Sequence, residues 1–132
     1  MKVNFKNNIF HNWNKDLYIA TKKGINTDVY NNETIEYNKP FYFGKVNYQP
    51  LTPKQMEAFV RAYGETNNKI VSCLIDYKDK DKFSDFDLAY LYGANPLGEK
   101  KNGRNANYKV RAFKPQNTRI MVIFEEIVKE GN

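Results

Sequence analysis

The sequence predicts a mainly β protein, a small β-barrel with one short amphipathic α-helix and an N-terminal arm. Short segments rich in β-branched and aromatic residues recur between turn signals along the chain. Only one stretch combines helical periodicity with start and stop signals. The 132 residues, 41% hydrophobic and 15% aromatic, suffice for the core of one domain and exclude a disordered chain. We expect an arm at residues 1–14, a barrel at 15–128 and a C-terminal tail at 129–132.

The N-terminal arm is polar and rich in asparagine, with a few large apolar side chains among the polar ones. These side chains are Phe5, Ile9, Phe10 and Trp13. Because such arms order on assembly, we expect these four residues to form a subunit interface. His11, the only histidine, lies in the same arm, where a solvated position is expected rather than a catalytic base.

The first half of the predicted barrel contains three strand-like segments. A strand at residues 17–21 is followed by a turn at 24–28, where a glycine and polar residues cluster. A second turn, at an asparagine pair, precedes a strand-like segment at 34–37. A proline then interrupts the chain before residues 41–48, whose aromatic and β-branched side chains predict the next strand.

The helix carries the clearest local signal in the chain. Thr52 is placed to accept a hydrogen bond from an orphan backbone N–H, and Pro53 at the first helical position has no N–H to leave unpaired. Gln55 completes a capping box, and Gly64 is expected to end the helix as a left-handed cap. The apolar stripe between them recurs at i, i+3, i+4 and i+7, as in a helix packed on a sheet. Its members are Met56, Phe59, Val60 and Tyr63.

Two further strands and two loops are predicted after the helix. Residues 69–77 predict a strong strand, with Val71, Cys73, Ile75 and Tyr77 on one face and Ile70, Ser72, Leu74 and Asp76 on the other. Residues 88–92 predict a short strand that ends at a glycine. The charged segments at 78–85 and 97–105 predict exposed loops, and the second of these is expected to be flexible.

The chain is predicted to close with a pair of strands. Residues 107–113 alternate between apolar and basic side chains, and the three apolar ones are predicted to share one face. These are Tyr108, Val110 and Ala112. A turn at 115–117 leads into a last strand at 119–128, which is apolar on both faces and therefore expected at the centre of the sheet.

The charge balance favours an anionic partner without identifying one. Lys and Arg number 21 and Asp and Glu 15, which gives a net charge of +6. The basic residues are scattered among acidic ones, and no block of five like charges exists. Solubilising surface lysines explain the excess as well as nucleic-acid binding does.

The residues do not assemble into a catalytic or metal-binding motif. Cys73, the only cysteine, lies in the middle of a predicted strand and is expected to be a small buried hydrophobe. An acidic cluster alternates with lysines and lacks the glycine of a calcium loop, so a solvated loop with local ion pairs is expected. Its members are Asp76, Asp79, Asp81, Asp85 and Asp87. The glycines of residues 97–105 lack the spacing of a phosphate-binding loop.

The strand at residues 41–48 offers a second kind of site. Aromatic side chains beside lysines can stack the bases of single-stranded nucleic acid, although alternation places about half of them in a core. The residues concerned are Phe41, Tyr42, Phe43 and Tyr48, with Lys39 and Lys45. A single-stranded nucleic-acid-binding barrel is therefore one hypothesis.

The order of short motifs resembles a known family. Gln49-Pro50-Leu51-Thr52 precedes the short helix, and a long strand ends at Ile75-Asp76-Tyr77. Phe83 and Asp87-Leu88-Ala89-Tyr90-Leu91 follow. Asn107-Tyr108-Lys109-Val110 and Pro115-Gln116-Asn117 then precede the closing apolar strand. Over roughly residues 28–128 this order resembles the head-closure proteins of tailed bacteriophages, also called head–tail connectors or stoppers.

The resemblance implies a structural, non-enzymatic β-barrel subunit of the virion neck, assembled in the cytoplasm of the host bacterium. Such subunits form a homo-oligomeric ring, with portal and adaptor proteins above and tail proteins below. Double-stranded DNA passes through the channel without sequence readout, and no cofactor, metal or membrane is expected. A tail-terminator ring, which has a related architecture, is the alternative within the same class.

The resemblance also implies a functional loop. In such proteins the segment after the short helix projects into the channel and helps to retain packaged DNA. By position, the candidate channel or gating loop consists of Gly64, Glu65, Thr66, Asn67, Asn68 and Lys69.

Overall fold

The computed structural model describes residues 15–128, with 46% of them in strands and 12% in helices. The strands are β1 (Lys15–Ala20), β2 (Lys22–Thr27), β3 (Glu33–Tyr37), β4 (Phe41–Val46), β5 (Gln49–Pro50), β6 (Ile70–Asp76), β7 (Leu88–Tyr90), β8 (Tyr108–Gln116) and β9 (Arg119–Glu126). One helix, α1 (Pro53–Tyr63), and a single 3₁₀ turn (Tyr77–Asp79) complete the described elements. The mainly β prediction is confirmed. The predicted arm and tail lie outside the described residues.

Seven strands form a curled half-barrel sheet in the order β4-β1-β7-β8-β9-β6-β5, and every neighbouring pair is antiparallel. β2 and β3 pair with each other in a separate two-stranded hairpin. No helix of the described residues is long and apolar enough to cross a membrane.

The inner face of the half-barrel holds the main core. Alternate residues of β6 and β9 point into it, as the apolar alternation predicts. They are Val71, Cys73 and Ile75 from β6, and Ile120, Val122 and Phe124 from β9. β9 lies between β8 and β6 and is buried on both faces, so the predicted central position of the last strand is confirmed.

The outer face of the same strands packs under α1. Thr52 caps the helix, since its Oγ1 accepts the N–H of Gln55 while Gln55 Oε1 accepts the N–H of Thr52. Phe59 is buried against Ile70, Ala112, Met121 and Ile123. Gly64 ends the helix as predicted, but its φ of 89° and ψ of 170° lie outside the left-handed helical region, so the predicted left-handed cap is wrong. The predicted capping box and stop are confirmed, although Tyr63 at the end of the stripe remains exposed.

The turn predicted at residues 24–28 is wrong. These residues belong mostly to β2, which pairs with β3 from Lys22 opposite Tyr37 to Thr27 opposite Glu33. The chain turns at residues 28–32, where Asp28 accepts the N–H groups of Tyr30 and Asn32, so the second predicted turn, at the asparagine pair, is confirmed. Gly24 follows an irregularity in the strand pairing, so its glycine signal marks a bulge rather than a turn.

The face predicted for β8 is wrong in its second half. The pairing of β8 with β9 shifts between Val110 and Ala112, so Arg111 is an extra, bulged residue. Tyr108 and Val110 point into the barrel, whereas Ala112 joins the cluster under α1. The predicted turn at 115–117 is also displaced, because β8 continues to Gln116 and the turn is Asn117-Thr118.

Candidate functional site

The site that the sequence singled out is the post-helix loop, residues 64–69, which joins α1 to β6. The loop is exposed overall, and Thr66 and Asn68 are its only half-buried residues. The Oγ1 of Thr66 and the Nδ2 of Asn68 donate to Glu125 Oε2, at 3.3 and 2.9 Å. The backbone carbonyl of Lys69 accepts the N–H of Glu126 at 2.9 Å. The loop is therefore fastened to the end of β9 while Glu65 and Asn67 face outwards.

Glu125 is the residue that holds this loop, and sequence reasoning missed it. It is only 8% exposed, although it lies near the end of a strand on the helix side of the sheet. Its Oε1 lies 3.0 Å from Arg111 Nε, whose N–H is not aligned with it, so this contact is an ion pair rather than a well-formed hydrogen bond. Arg111 reaches Glu125 from the bulge in β8, which no local sequence signal marked.

Two aromatic rings flank the Arg111 guanidinium. Its carbon lies 4.8 Å from the centre of the Tyr63 ring and 5.8 Å from that of Phe86. Both rings are substantially exposed, and Phe86 adopts a φ of 70°, which is unusual for a bulky residue. The end of α1, the bulge and the post-helix loop thus form one connected surface with an aromatic and cationic centre.

The aromatic strand proposed for base stacking is mostly committed to the core. Tyr48 is buried, and its hydroxyl oxygen accepts the N–H of Tyr92 at 2.7 Å. Burial also raises its pKa. Phe41 and Phe43 pack against the main core. Tyr42 remains half exposed and donates its hydroxyl to Asp16 at 2.9 Å.

Lys45 is also engaged by Asp16, at 3.0 Å. This ion pair together with the Tyr42 hydroxyl lowers the pKa of Asp16. Tyr42 is therefore the one aromatic residue of the cluster on which a base could stack. Its ring lies beside that of Tyr18, with 5.1 Å between the ring centres. Lys39, the other lysine of the cluster, is exposed.

The remaining chemical candidates behave as structural groups. Cys73 is buried in the main core, and burial raises the pKa of its thiol to about 12, so it is protonated at neutral pH. Among residues 15–128 no cluster of three or more histidine, cysteine or carboxylate side chains is placed to hold a metal ion. The expected local ion pair of the acidic loop is present, between Asp79 and Lys82 at 3.0 Å. His11 and the arm residues lie outside the described residues.

Asp87 is buried, whereas the whole acidic cluster was expected to be solvated. It is 1% exposed, and its carboxylate accepts the N–H of Lys22 at 2.9 Å and that of Ser84 at 2.7 Å. It therefore connects the first residue of β2 to the segment before β7. The expectation was wrong because backbone amides from a distant strand, which the sequence cannot show, satisfy this carboxylate.

The loop at residues 97–105 is exposed, and several hydrogen bonds brace it. The carboxylate of Glu99 accepts the Tyr90 hydroxyl at 2.8 Å and the N–H groups of Gly103 and Asn105 at 3.2 and 2.9 Å. Asn102 Nδ2 donates to the carbonyl of Tyr37, at the end of β3, at 3.1 Å. The base of the β2–β3 hairpin is therefore attached to the sheet through Asp87 on one strand and through Asn102 on the other.

Comparison of the chain with protein-family models, curated proteins and solved structures finds no match to any of them.

Proposed function

We propose that the chain is a structural subunit of the neck of a tailed bacteriophage, a head-closure protein that forms a ring around the DNA channel. In this role it lies between the portal and adaptor proteins and the tail, and it catalyses no reaction. The observation that carries the proposal is the amount of sheet edge and apolar surface that a single chain leaves uncovered. The half-barrel ends in the edge strands β4 and β5, and the β2–β3 hairpin lacks any cover from the described residues.

Open strand edges and exposed apolar side chains are hazards in a monomer, because they promote uncontrolled association. They are normal in a subunit whose neighbours cover them. In a ring each subunit uses two different surfaces, and the contacts close when the rotation between neighbours permits. The uncovered surfaces of this chain lie on different elements, which is the arrangement that such contacts need.

The post-helix loop is the element that we place in the channel. Its attachment to Glu125 fixes the path of the backbone while Glu65, Asn67 and Lys69 face outwards. A loop that blocks a channel needs such a firm base, because packaged DNA presses on it. Contacts to DNA at this point need no base readout, since a lysine can contact phosphates of any sequence.

Co-expression with a portal and an adaptor protein from the same phage tests the assembly. Negative-stain images are expected to contain rings with a central channel, attached to the portal complex. Monomers alone, with both partners present, would contradict the proposal. Attachment to isolated tail tubes but never to portal and adaptor would favour the tail-terminator alternative instead.

Virions that carry Lys69→Glu test the channel loop. We expect them to lose packaged DNA more readily than the wild type, because the charge reversal repels DNA from the loop. Lys54→Glu, an exposed change on the first turn of α1, is the matched control and should leave DNA retention unchanged. Equal retention in both variants would remove the loop from the channel.

Oligonucleotide binding tests the nucleic-acid hypothesis. Micromolar or tighter binding of single-stranded DNA that weakens steeply with salt, and that Tyr42→Ala abolishes, would favour a nucleic-acid-binding barrel. We expect no such binding, because three of the four aromatic side chains of that strand are engaged by the core.

A further inference from the structure

The β2–β3 hairpin projects from the half-barrel as an element with no cover of its own. Every residue of β2 is exposed, and Tyr37 is the only residue of β3 that is not. Ile25 lies directly opposite Ile35, and the tip carries Val29 and Tyr30, which are 90% and 81% exposed. An isolated two-stranded hairpin is at best marginally stable in water. Four large exposed apolar side chains on such an element indicate an interaction surface.

The base of the hairpin is rigidly held, so this surface is presented in a fixed direction. Lys22 donates its N–H to buried Asp87, and Asn102 donates to the carbonyl of Tyr37. The N–H of Asn38, just after β3, also donates to the carbonyl of Thr21, just before β2, at 2.8 Å. The hairpin is anchored at one end and uncovered at the other.

The outer part of the hairpin is acidic, whereas Lys22 and Lys23 at the start of β2 bring the whole hairpin, residues 22–37, to 2 − 3 = −1. Residues 24–36 contain Asp28, Glu33 and Glu36 and neither lysine nor arginine, which gives them a charge of −3. The remaining residues hold 21 basic and 12 acidic side chains, a balance of 21 − 12 = +9. Asp28 is occupied by the turn, so Glu33 supplies the outward charge on the face of Ile25 and Ile35, and Glu36 supplies it on the opposite face.

A groove of complementary character lies elsewhere on the molecule, between the N-terminus of α1 and the edge of β6. Leu74, which is 44% exposed, and Met121 provide apolar surface in it, and Lys45 and Arg119 provide positive charge. No acidic residue and no residue of the hairpin is among the described residues that line it. Arg119 makes no ion pair within residues 15–128, whereas Lys45 is already paired with Asp16.

We propose that the β2–β3 hairpin of one copy docks in this groove of a second copy, with its apolar tip on Leu74 and Glu33, which shares the face of Ile25 and Ile35, facing Arg119. The contact is heterologous, because each copy gives its hairpin to one neighbour and its groove to another, and repetition of such a contact closes into a ring. This inference rests on the proposed ring and names the surfaces that build it. The N-terminal arm fits the groove less well, since residues 1–14 contain two lysines and no acidic residue.

Charge reversal on the two surfaces tests the contact in the full chain by analytical ultracentrifugation. We expect Glu33→Lys, and separately Arg119→Glu, each to weaken self-association by at least about tenfold. Combining both changes in one chain should restore part of it. The control, Lys100→Glu, is an exposed charge reversal away from both surfaces and should have no effect. Circular dichroism confirms that the exposed substitutions leave the fold intact.

Mixing the variants tests the direction of the contact. The hairpin variant keeps an intact groove and the groove variant keeps an intact hairpin, so an equimolar mixture should form dimers that do not grow further. Unchanged self-association in the hairpin variant would overturn the inference. So would a wild-type chain that stays monomeric at millimolar concentration, or loss of self-association only on removal of residues 1–14.

The two proposals fail in different ways. Rings on the portal complex that tolerate the hairpin and groove changes would leave the neck function standing and remove this contact. Failure to form rings with portal and adaptor, together with variant-sensitive self-association of the isolated chain, would keep the contact and remove the neck function.

Discussion

Replacing Asp87 with alanine is expected to destabilise the fold by about 3 kcal/mol, because two part-buried amides lose their acceptor. The carboxylate accepts the N–H of Lys22 at 2.9 Å and the N–H of Ser84 at 2.7 Å. Hydrogen bonds to a charged group contribute roughly 1.5–3 kcal/mol each, and partial burial of the donors favours the lower end of that range. The Ser84 hydroxyl, at 3.4 Å, is too distant to add much.

Urea unfolding followed by circular dichroism measures this loss. Asp85→Ala is the matched control, because Asp85 is exposed two residues away and should contribute less than about 0.5 kcal/mol. In a thermal melt the Asp87 variant should unfold roughly 10 °C lower, at about 3–4 °C per kcal/mol for a domain of this size. Hydrogen exchange at the Lys22 amide should accelerate, since it has lost its acceptor. A destabilisation equal to that of Asp85→Ala would refute the brace at the hairpin base.

Four further outcomes follow from the structure. Gly103→Ala should lower the free energy of unfolding in urea by about 2–3 kcal/mol, because φ is 85° and a Cβ would lie 2.7 Å from Leu88 Cδ1. The control, Gly98→Ala, has a φ of 78° and open space around it, so it should lower that free energy by only about 1 kcal/mol. Equal losses in the two variants would contradict the steric contribution at Gly103. The thiol of Cys73, with its pKa raised to about 12 by burial, should resist iodoacetamide at pH 8.5 in the native state and react in urea; fast native alkylation would contradict its burial. For the same reason its contribution to stability is full below the usual thiol pKa of about 9 and falls as pH rises towards 12, since only the unfolded thiol ionises there. Glu125→Ala should release the post-helix loop and weaken the fold by about 2 kcal/mol, because Thr66 and Asn68 lose their acceptor; the assay is proteolysis within the loop, and unchanged cleavage would show that other contacts hold it.

The parts of the fold that sequence predicts well are those specified by neighbouring residues. The helix from Pro53 to Tyr63 carries its cap, capping box and stop within a dozen positions, and each of these signals acts locally. The alternation of β6 and the apolar run of β9 also survive in the structure, because burial on each face needs only a period of two.

The parts that sequence misses depend on distant partners. Gly24 and its polar neighbours resemble a turn, yet cross-strand pairing with β3 makes them a strand. The bulge at Arg111 reverses the facing of Ala112, and nothing in the local alternation indicates it. Asp87 and Glu125 resemble solvated carboxylates until the fold brings backbone amides, Asn68 and Arg111 to them.

The candidate loop illustrates the same division. Its position after the helix follows from the stop at Gly64, so the segment itself is predictable. Its attachment is not, because Thr66 and Asn68 bond to a residue nearly sixty positions later in the chain. The hairpin and the groove were missed for a related reason, since their complementarity appears only when charge and exposure are placed on the folded chain.

Electron microscopy of the chain assembled with its portal and adaptor proteins tests the central claim most directly. A ring of this protein below the adaptor, with the post-helix loops lining the channel, is the predicted result. Particles in which the portal and adaptor form their complex while this chain remains a free monomer would contradict it.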